Sequence, residues 1–344
     1  MPTVPLLFLK FCAVMLARIS SKDKFFSNKS MKSLRIALLA GGVSAEREVS
    51  LKTGAMIRAA LSGRHKIYFY DPKKDLIKFI RAAQTKKFQI VIPALHGFFG
   101  EDGRLQGLLD YLQIPYLFSG VLASAVAMDK QQTKILARRC GLRTAASLVI
   151  NRHTSQARAQ ARRFPRPFVC KPLTAGSSKG VAVVRKPSEI SAALDRAWEQ
   201  DERIMLEKYI PGRELTATVM TIDGQDSALP IVEIIPKISK WFDYEAKYQA
   251  AGSEEICPAK IPASVAAKIK KQTIKLFSVL GLCDLARADF IWPGQGTPYF
   301  LEINTIPGMT ATSLAPQAAR AAGYVFVDFL ECLIENCLKR FAAR

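Results

Sequence analysis

The chain has 344 residues, 49% of them hydrophobic and 23% charged, which is enough to bury a full core in two or three subdomains of an ordinary soluble protein. Its formal net charge of +21 suits nucleic acid, an acidic membrane surface or small anionic ligands, but the lysines and arginines are scattered, and neither zinc-finger spacing nor an aromatic-basic RNA signature is present, which argues against a primary nucleic-acid role. Seven cysteines without a CxxC pair read as free thiols in a reducing cytosol, and three histidines far apart in the chain argue against a zinc centre.

Val4 to Ala17 is apolar but broken by Lys10. It lacks a basic n-region and a small-x-small cleavage site, and it is too short to span a bilayer. Residues 1–32 are therefore expected to be a mobile leader, or sequence upstream of a true start at Met31. From Leu34 onward, apolar runs alternate with amphipathic stretches: Leu34 to Ala40, Ala45 to Leu61, Lys66 to Tyr70, Lys74 to Ala83, Gln89 to Leu95 and Arg104 to Leu112. The order βαβαβα predicts a Rossmann-like, doubly wound parallel sheet over 33–121, with ligands at the carboxyl ends of its strands. Gly41-Gly42-Val43-Ser44-Ala45-Glu46 and His96-Gly97 sit at two of those ends.

An α+β unit is expected over 122–211. It begins with a helix from Val121 to Arg139, followed by strands at Pro167 to Lys171, Val181 to Val184 and Arg203 to Lys208, and a helix from Pro187 to Gln200. A third unit, 212–344, holds Glu214 to Thr221, a hairpin turn at Asp223-Gly224 leading to Leu229 to Ile235, a helix from Ala263 to Leu280, strands at Ala286 to Trp292 and Pro298 to Asn304, and two closing helices at Leu314 to Ala322 and Val325 to Phe341. The fold class is thus α/β and α+β.

Three constellations carry chemistry. Lys171-Pro172-Leu173-Thr174-Ala175-Gly176-Ser177-Ser178-Lys179-Gly180 supplies glycines and hydroxyls that let backbone amides approach phosphate oxygens. A strand follows it instead of a helix, so it is a hairpin flap and not a P-loop. Next, Met205 to Glu214 runs from an apolar strand through Pro211-Gly212 to a carboxylate, an edge on which adenine could rest with Glu214 toward the ribose. Finally, Arg287 to Trp292 and Tyr299 to Asn304 form a hairpin that sets Asp289 nearly opposite Glu302. Period two places Arg287, Asp289, Glu302 and Asn304 on one face, with Ala288, Phe290, Leu301 and Ile303 on the other. An all-oxygen set of this kind suits Mg²⁺.

Together these features resemble an ATP-grasp enzyme. The match narrows with Gly41-Gly42-x-Ser44-Ala45-Glu46-Arg47-Glu48-Val49-Ser50, Leu95-His96-Gly97 with Gly100-Glu101-Asp102-Gly103, Met128-Asp129-Lys130, Tyr244-Glu245-Ala246-Lys247-Tyr248 and Glu302-x-Asn304-Thr305-x-Pro307-Gly308-Met309-Thr310. These runs resemble the D-alanine:D-alanine ligase family, in the family's order from about Ser33 to the C-terminus.

The resemblance implies a two-unit ATP-grasp clamp over 122–211 and 212–344, preceded by a substrate unit over 33–121. The activity implied is Mg·ATP-dependent ligation of two D-alanine molecules through a D-alanyl phosphate, in the cytoplasm, for peptidoglycan and cell-shape maintenance. By the same resemblance, Lys130 and Lys171 hold ATP phosphates and Lys247 reaches the γ-phosphate. The backbone from Lys208 to Ile210 holds adenine, Glu214 the ribose, and Ser178 and Glu207 add nucleotide contacts. Asp289, Glu302 and Asn304 hold two Mg²⁺ ions, which Mn²⁺ could replace. Arg287 stabilises the transferred phosphoryl group, Glu46 binds the first ammonium near His96, and the Gly308 amide helps form an oxyanion hole. Ser313 and Leu314 take the second carboxylate, and Ser177 and Tyr248 link to Glu46 to close the site. Two departures fall in the flap, where Ala175 replaces a frequently acidic position and Lys179 a small apolar one. The partners implied are the small molecules D-alanine and ATP, without nucleic acid or membrane, in a chain that could form a homodimer. A D-alanine:D-lactate ligase or another ATP-grasp ligase is the alternative within the class, and a non-enzymatic nucleotide or nucleic-acid binder the alternative outside it.

Overall fold

In the computed structural model, which describes residues 32–176, 178–237 and 252–343, the apolar run from Arg35 to Ala40 forms β1 (Arg35–Ala40). It is flanked by β2 (Lys66–Tyr70) and β3 (Ile90–Ala94) in a parallel sheet ordered β2-β1-β3, with Leu39 beside Tyr70 and Ala40 beside Ala94. All of β3, and β1 after Arg35, is buried, as unbroken apolar runs in parallel strands require. The crossovers are α1 (Arg47–Leu61) and α2 (Pro72–Gln84), the latter capped by the Asp71 carboxylate accepting from the Lys73 amide and started by Pro72, a favoured first helical residue. α3 (Arg104–Tyr111) follows β3. The first crossover helix begins at Arg47, two residues later than the pattern suggests, so Glu46 occupies the N-cap position.

The expected helix from Val121 to Arg139 is two helices, α4 (Val121–Met128) and α5 (Lys130–Arg139). Asp129 breaks it because its carboxylate accepts from the amides of Gln131 and Gln132, starting a new helix in preference to continuing the old one. Lys130 thereby becomes the first residue of α5. The central sheet is antiparallel, ordered β4-β7-β5-β6, from β4 (Ser147–Asn151), β5 (Phe168–Pro172), β6 (Ala182–Val184) and β7 (Arg203–Lys208). One face packs Phe168, Cys170, Ile204 and Leu206 with residues of α6 (Ala157–Arg163) and α7 (Ile190–Trp198). The alternate residues Val169, Lys171 and Glu207 turn to the opposite face.

The third sheet runs β11-β10-β8-β12-β13, with β9 also paired to β8. Its strands are β8 (Arg213–Ile222), β9 (Gln225–Ala228), β10 (Val232–Pro236), β11 (Ser253–Ile256), β12 (Leu285–Trp292) and β13 (Tyr299–Asn304). The Asp223-Gly224 turn has φ of 48° and 76°, the two positive values of a type I′ hairpin, and it pairs β8 with a short polar β9 before the chain reaches β10. Leu215, Ala217, Val219, Phe290, Phe300 and Ile303 share a core with Ile269, Leu276 and Phe277 of α8 (Ala263–Val279). α9 (Leu314–Ala321) and α10 (Phe326–Ala342) close the chain. Arg340 of α10 binds the buried Asp284 at 2.8 Å and the carbonyls of Tyr116 and Phe118, anchoring this last helix to the segment after α3. The six described cysteines are all free thiols, and no described helix is long and apolar enough to cross a membrane.

Candidate active site

A cleft lies between the central and third sheets. Its apolar walls are Val169, Val183, Ile291 and Leu301, beside the strand-to-turn segment Lys208-Tyr209-Ile210. Lys130, Lys171, Glu207, Glu214, Asp289 and Glu302 supply its charge, and Ala175, Gly176 and Ser178 of the flap cover it. The amides of Lys208 and Tyr209 already donate to Ala146 O and Pro167 O, at 2.8 and 3.1 Å; they hold the hinge in place.

At the base of the cleft two lysines share one carboxylate. Lys134 donates to Glu207 Oε1 at 2.5 Å and Lys171 to Oε2 at 2.6 Å, with side chains 1% and 9% exposed and Glu207 at 3%. Burial works against charge on Glu207, but the two ammonium groups outweigh it and hold the carboxyl below its ordinary value. Lys130, at the start of α5, points toward the flap, where it donates to Ala175 O at 2.7 Å, and lies 3.5 Å from Glu302.

The β12–β13 hairpin sets Asp289 opposite Glu302 and Arg287 opposite Asn304, as the spacing predicts. Alternation then fails at a bulge, because Phe290 pairs with Phe300 while Asp289 pairs with Glu302. Leu301 is the extra residue, and a bulge resets which face follows. Leu301 therefore lines the cleft beside Glu302, contrary to its expected core position, and Phe300 takes the core. Asp289 accepts two bonds from Arg287, at 3.0 and 2.9 Å, one from Thr216 Oγ1 at 2.6 Å and one from Asn304 Nδ2 at 3.3 Å. Among the described residues, no three His, Cys, Asp or Glu side chains gather as a metal site, so the Asn304 amide oxygen has to complete any set built on Asp289 and Glu302. Two facing carboxylates and an amide beside a lysine-lined cleft fit Mg²⁺, which takes oxygen donors and shares them with phosphates.

The other end is built on glycines. A Cβ on Gly97, where φ is +69°, would lie 2.3 Å from Glu46 Oε2, and one on Gly176 of the flap 2.9 Å from the same atom. The Glu46 carboxylate is thus wedged between the strand-end turn and the flap. Lys179 spans the same gap, donating to Ala45 O at 2.8 Å. His96 is buried and shares a hydrogen bond with Thr53 Oγ1 at 3.1 Å, and burial, aided by the Arg287 charge, pulls its imidazole down to about 4. Glu101 accepts from the Gly97 amide at 2.7 Å and the Ile306 amide at 3.3 Å. Burial, reinforced by the charge of Glu46, pushes its carboxyl up to about 8.

Beyond Ile306, Gly308 packs against Ser313, whose hydroxyl would sit 2.8 Å from an added Cβ. The Ser313 hydroxyl accepts from the Thr310 amide at 2.9 Å and precedes Leu314, the first residue of α9. A helix start of this kind presents amide donors to an anion.

The family model described as "D-ala D-ala ligase C-terminus" matches residues 136–335, and that described as "D-ala D-ala ligase N-terminus" matches residues 70–119. The chain belongs to the D-alanine–D-alanine ligase family. It is 44% identical over 313 residues to the D-alanine–D-alanine ligase of Syntrophobacter fumaroxidans, covering 90% of this chain and 99% of that one. Among solved structures it resembles the D-alanine–D-alanine ligase of Bacillus anthracis complexed with ATP (TM-score 0.75, 31% identity, 90% of this chain and 99% of that one). It also resembles the VanG D-Ala:D-Ser ligase of Enterococcus faecalis (TM-score 0.75, 27% identity, 89% and 100%).

In this ligase, then, Lys130, Lys171, Ser178, Glu207, Lys208, Ile210, Glu214, Asp289 and Glu302 line one cleft. Asn304, Lys130, Gly176 and Glu302 line a smaller adjoining cavity with Glu101. Glu46, His96, Arg287, Gly308, Ser313 and Leu314 line neither of these two; His96 lines a separate pocket with Gly41, Gly42 and Ser44. Ser177, Lys247 and Tyr248 lie outside the described residues. Sequence reasoning missed Lys134, Thr216 and the bridging role of Glu101. Only the last had a signal, its place between two glycines in Gly100-Glu101-Asp102-Gly103.

Proposed function

We propose that this ligase joins two D-alanine molecules at the expense of ATP, in the cytoplasm, supplying the dipeptide for peptidoglycan precursors. The observation that carries the reading is the cleft in which an apolar slot leads to Lys130, Lys171, Asp289 and Glu302, with Glu46 wedged against the flap beyond them. Units 122–211 and 212–344 form the clamp, and unit 33–121 brings the first amino acid.

A carboxylate is a poor electrophile, so one of its oxygens first attacks the γ-phosphorus of ATP, giving ADP and an acyl phosphate. The amine of the second D-alanine, having lost its proton, then attacks the acyl carbon. Phosphate leaves with the oxygen that attacked. Lys130, Lys171 and Lys247 spread charge as the phosphoryl group moves, and Arg287 with the Gly308 amide stabilises the tetrahedral oxyanion. Mg²⁺ held by Asp289, Glu302 and Asn304 would neutralise charge on the nucleotide phosphates. Glu46, beside neutral His96, fixes the first ammonium, while the start of α9 at Ser313 and Leu314 receives the second carboxylate. Glu214 binds the ribose, and Ser178 and Glu207 add contacts to the nucleotide. Ser177 and Tyr248 complete the cover that keeps water from the acyl phosphate.

Incubation with Mg·ATP and D-alanine should yield D-alanyl-D-alanine, ADP and phosphate by mass spectrometry, with L-alanine a poor substrate because ammonium and carboxylate are fixed in one handed arrangement. Equal turnover of both enantiomers would contradict the reading. A depsipeptide formed in preference from added D-lactate, or a mixed dipeptide from D-serine, would reassign the acceptor.

A further inference from the structure

Glu207 is sealed from water with one lysine on each oxygen, but the two lysines differ in what else they can reach. Lys171, on β5, lines the cleft. Lys134, on α5, does not. It is held from behind by Phe300 O at 3.2 Å, and its ammonium lies 6.0 Å from the centre of the Phe300 ring. The cluster carries two positive charges and one negative, and its surplus charge is the one at the cleft wall.

We propose that Lys134 is a positioning residue for the nucleotide, the fixed counter-ion of Glu207 that lets Lys171 leave this carboxylate and take a phosphate oxygen. The proposal rests on the cleft being the ATP site. As the structure stands, Lys171 is bonded to Glu207 at 2.6 Å, so a phosphate contact has to be made in competition with that ion pair. A buried carboxylate stripped of its only cation is strongly disfavoured, so with Lys171 as sole partner the competition would be lost. With Lys134 in place, Glu207 keeps a cation at 2.5 Å whichever way Lys171 turns. Burial draws the Lys134 ammonium down to about 8 against the pull of Glu207, whereas Lys171, also opposed by burial, is raised by Glu207 and Glu302 together. Both ammonium groups therefore stay charged at neutral pH, the one at the cleft the more firmly.

The test is the dissociation constant of Mg·ATP, measured by calorimetry without D-alanine, for Lys134→Met, Glu207→Gln, their double variant and Lys171→Met. Lys134→Met should weaken Mg·ATP about tenfold or more in the otherwise native protein, and less than about twofold in the Glu207→Gln background, where no buried charge is left to hold Lys171. A purely structural role would weaken binding equally in both backgrounds, and that result, or no effect of Lys134→Met while Lys171→Met weakens binding, would overturn the proposal. If Lys171→Met itself leaves the affinity unchanged, the assignment of the cleft fails instead. Where Lys134→Met does not fold, Lys134→Gln, which keeps a donor without the charge, should change the affinity in the same sense and again lose its effect beside Glu207→Gln.

Discussion

His96 and Glu101 stand five positions apart at one strand end, and burial drives both toward the neutral form, with opposite consequences for stability. For His96, at about 4 in the folded chain against an ordinary 6.5, the unfolded chain binds a proton first as pH falls, so stability is full above about 6.5 and is lost downward to about 4. For Glu101, at about 8 against 4.5, the folded chain keeps its proton longer, so stability is full below about 4.5 and is lost as pH rises to about 8. Between 4.5 and 6.5 the two cancel; from 6.5 to 8 only the Glu101 loss remains. Glu101→Gln should remove that loss, so the melting temperature of the variant minus that of the native protein should grow steadily more positive from pH 6.5 to 8. A constant difference over that range would show that Glu101 ionises normally. Single residues of this kind are only partly legible in a sequence. His96 and Glu46 stand at strand ends where ligands are expected. Lys134, in contrast, takes its meaning from a carboxylate 73 positions away, and no local pattern distinguishes it from a solvated helical lysine.

At the scale of elements, the β12–β13 hairpin was readable because period two gathers its carboxylates on one face, up to the bulge, where the pairing and not the spacing decides that Leu301 joins Glu302. The break at Asp129 is similar: apolar periodicity crosses it, and only the capping bonds to Gln131 and Gln132 explain why Lys130 starts a fresh helix aimed at the flap. β4, β9, β11 and α6 were not foreseen. β9 and β11 are short, polar strands lying beside β8 and at the sheet edge, and they carry no apolar alternation to read. The hairpin yields a direct test. The Glu302 side chain is 27% exposed, so Glu302→Gln should shift the melting temperature by no more than about 2 °C without nucleotide. The same change should lower kcat on the order of 10²-fold, comparable to removing one charge-stabilising group from an active site. Near-normal turnover at low Mg²⁺ would show that this face does not serve the metal.

Across the whole molecule, three sheets bring different groups together: the parallel sheet ends near Glu46 and His96, the central sheet carries Lys171 and the flap, and the third sheet carries Asp289, Glu302 and the loop to Gly308. Their sequential order was legible because each sheet has its own periodicity and its own loop chemistry. Their convergence was not, since it depends on long-range contacts such as Lys179 to Ala45 O and Glu101 to the Ile306 amide. Those contacts bring the flap, the segment before α1 and the loop leading to Gly308 against one another; for the reaction proposed above, an acyl phosphate needs such a closure to outlive attack by water. The central claim, activation of a D-alanine carboxylate by phosphoryl transfer, fixes the path of one oxygen atom. With D-alanine labelled by ¹⁸O in its carboxylate, turnover with unlabelled ATP should release inorganic phosphate carrying one ¹⁸O for each dipeptide formed. Dipeptide accompanied by unlabelled phosphate would contradict it.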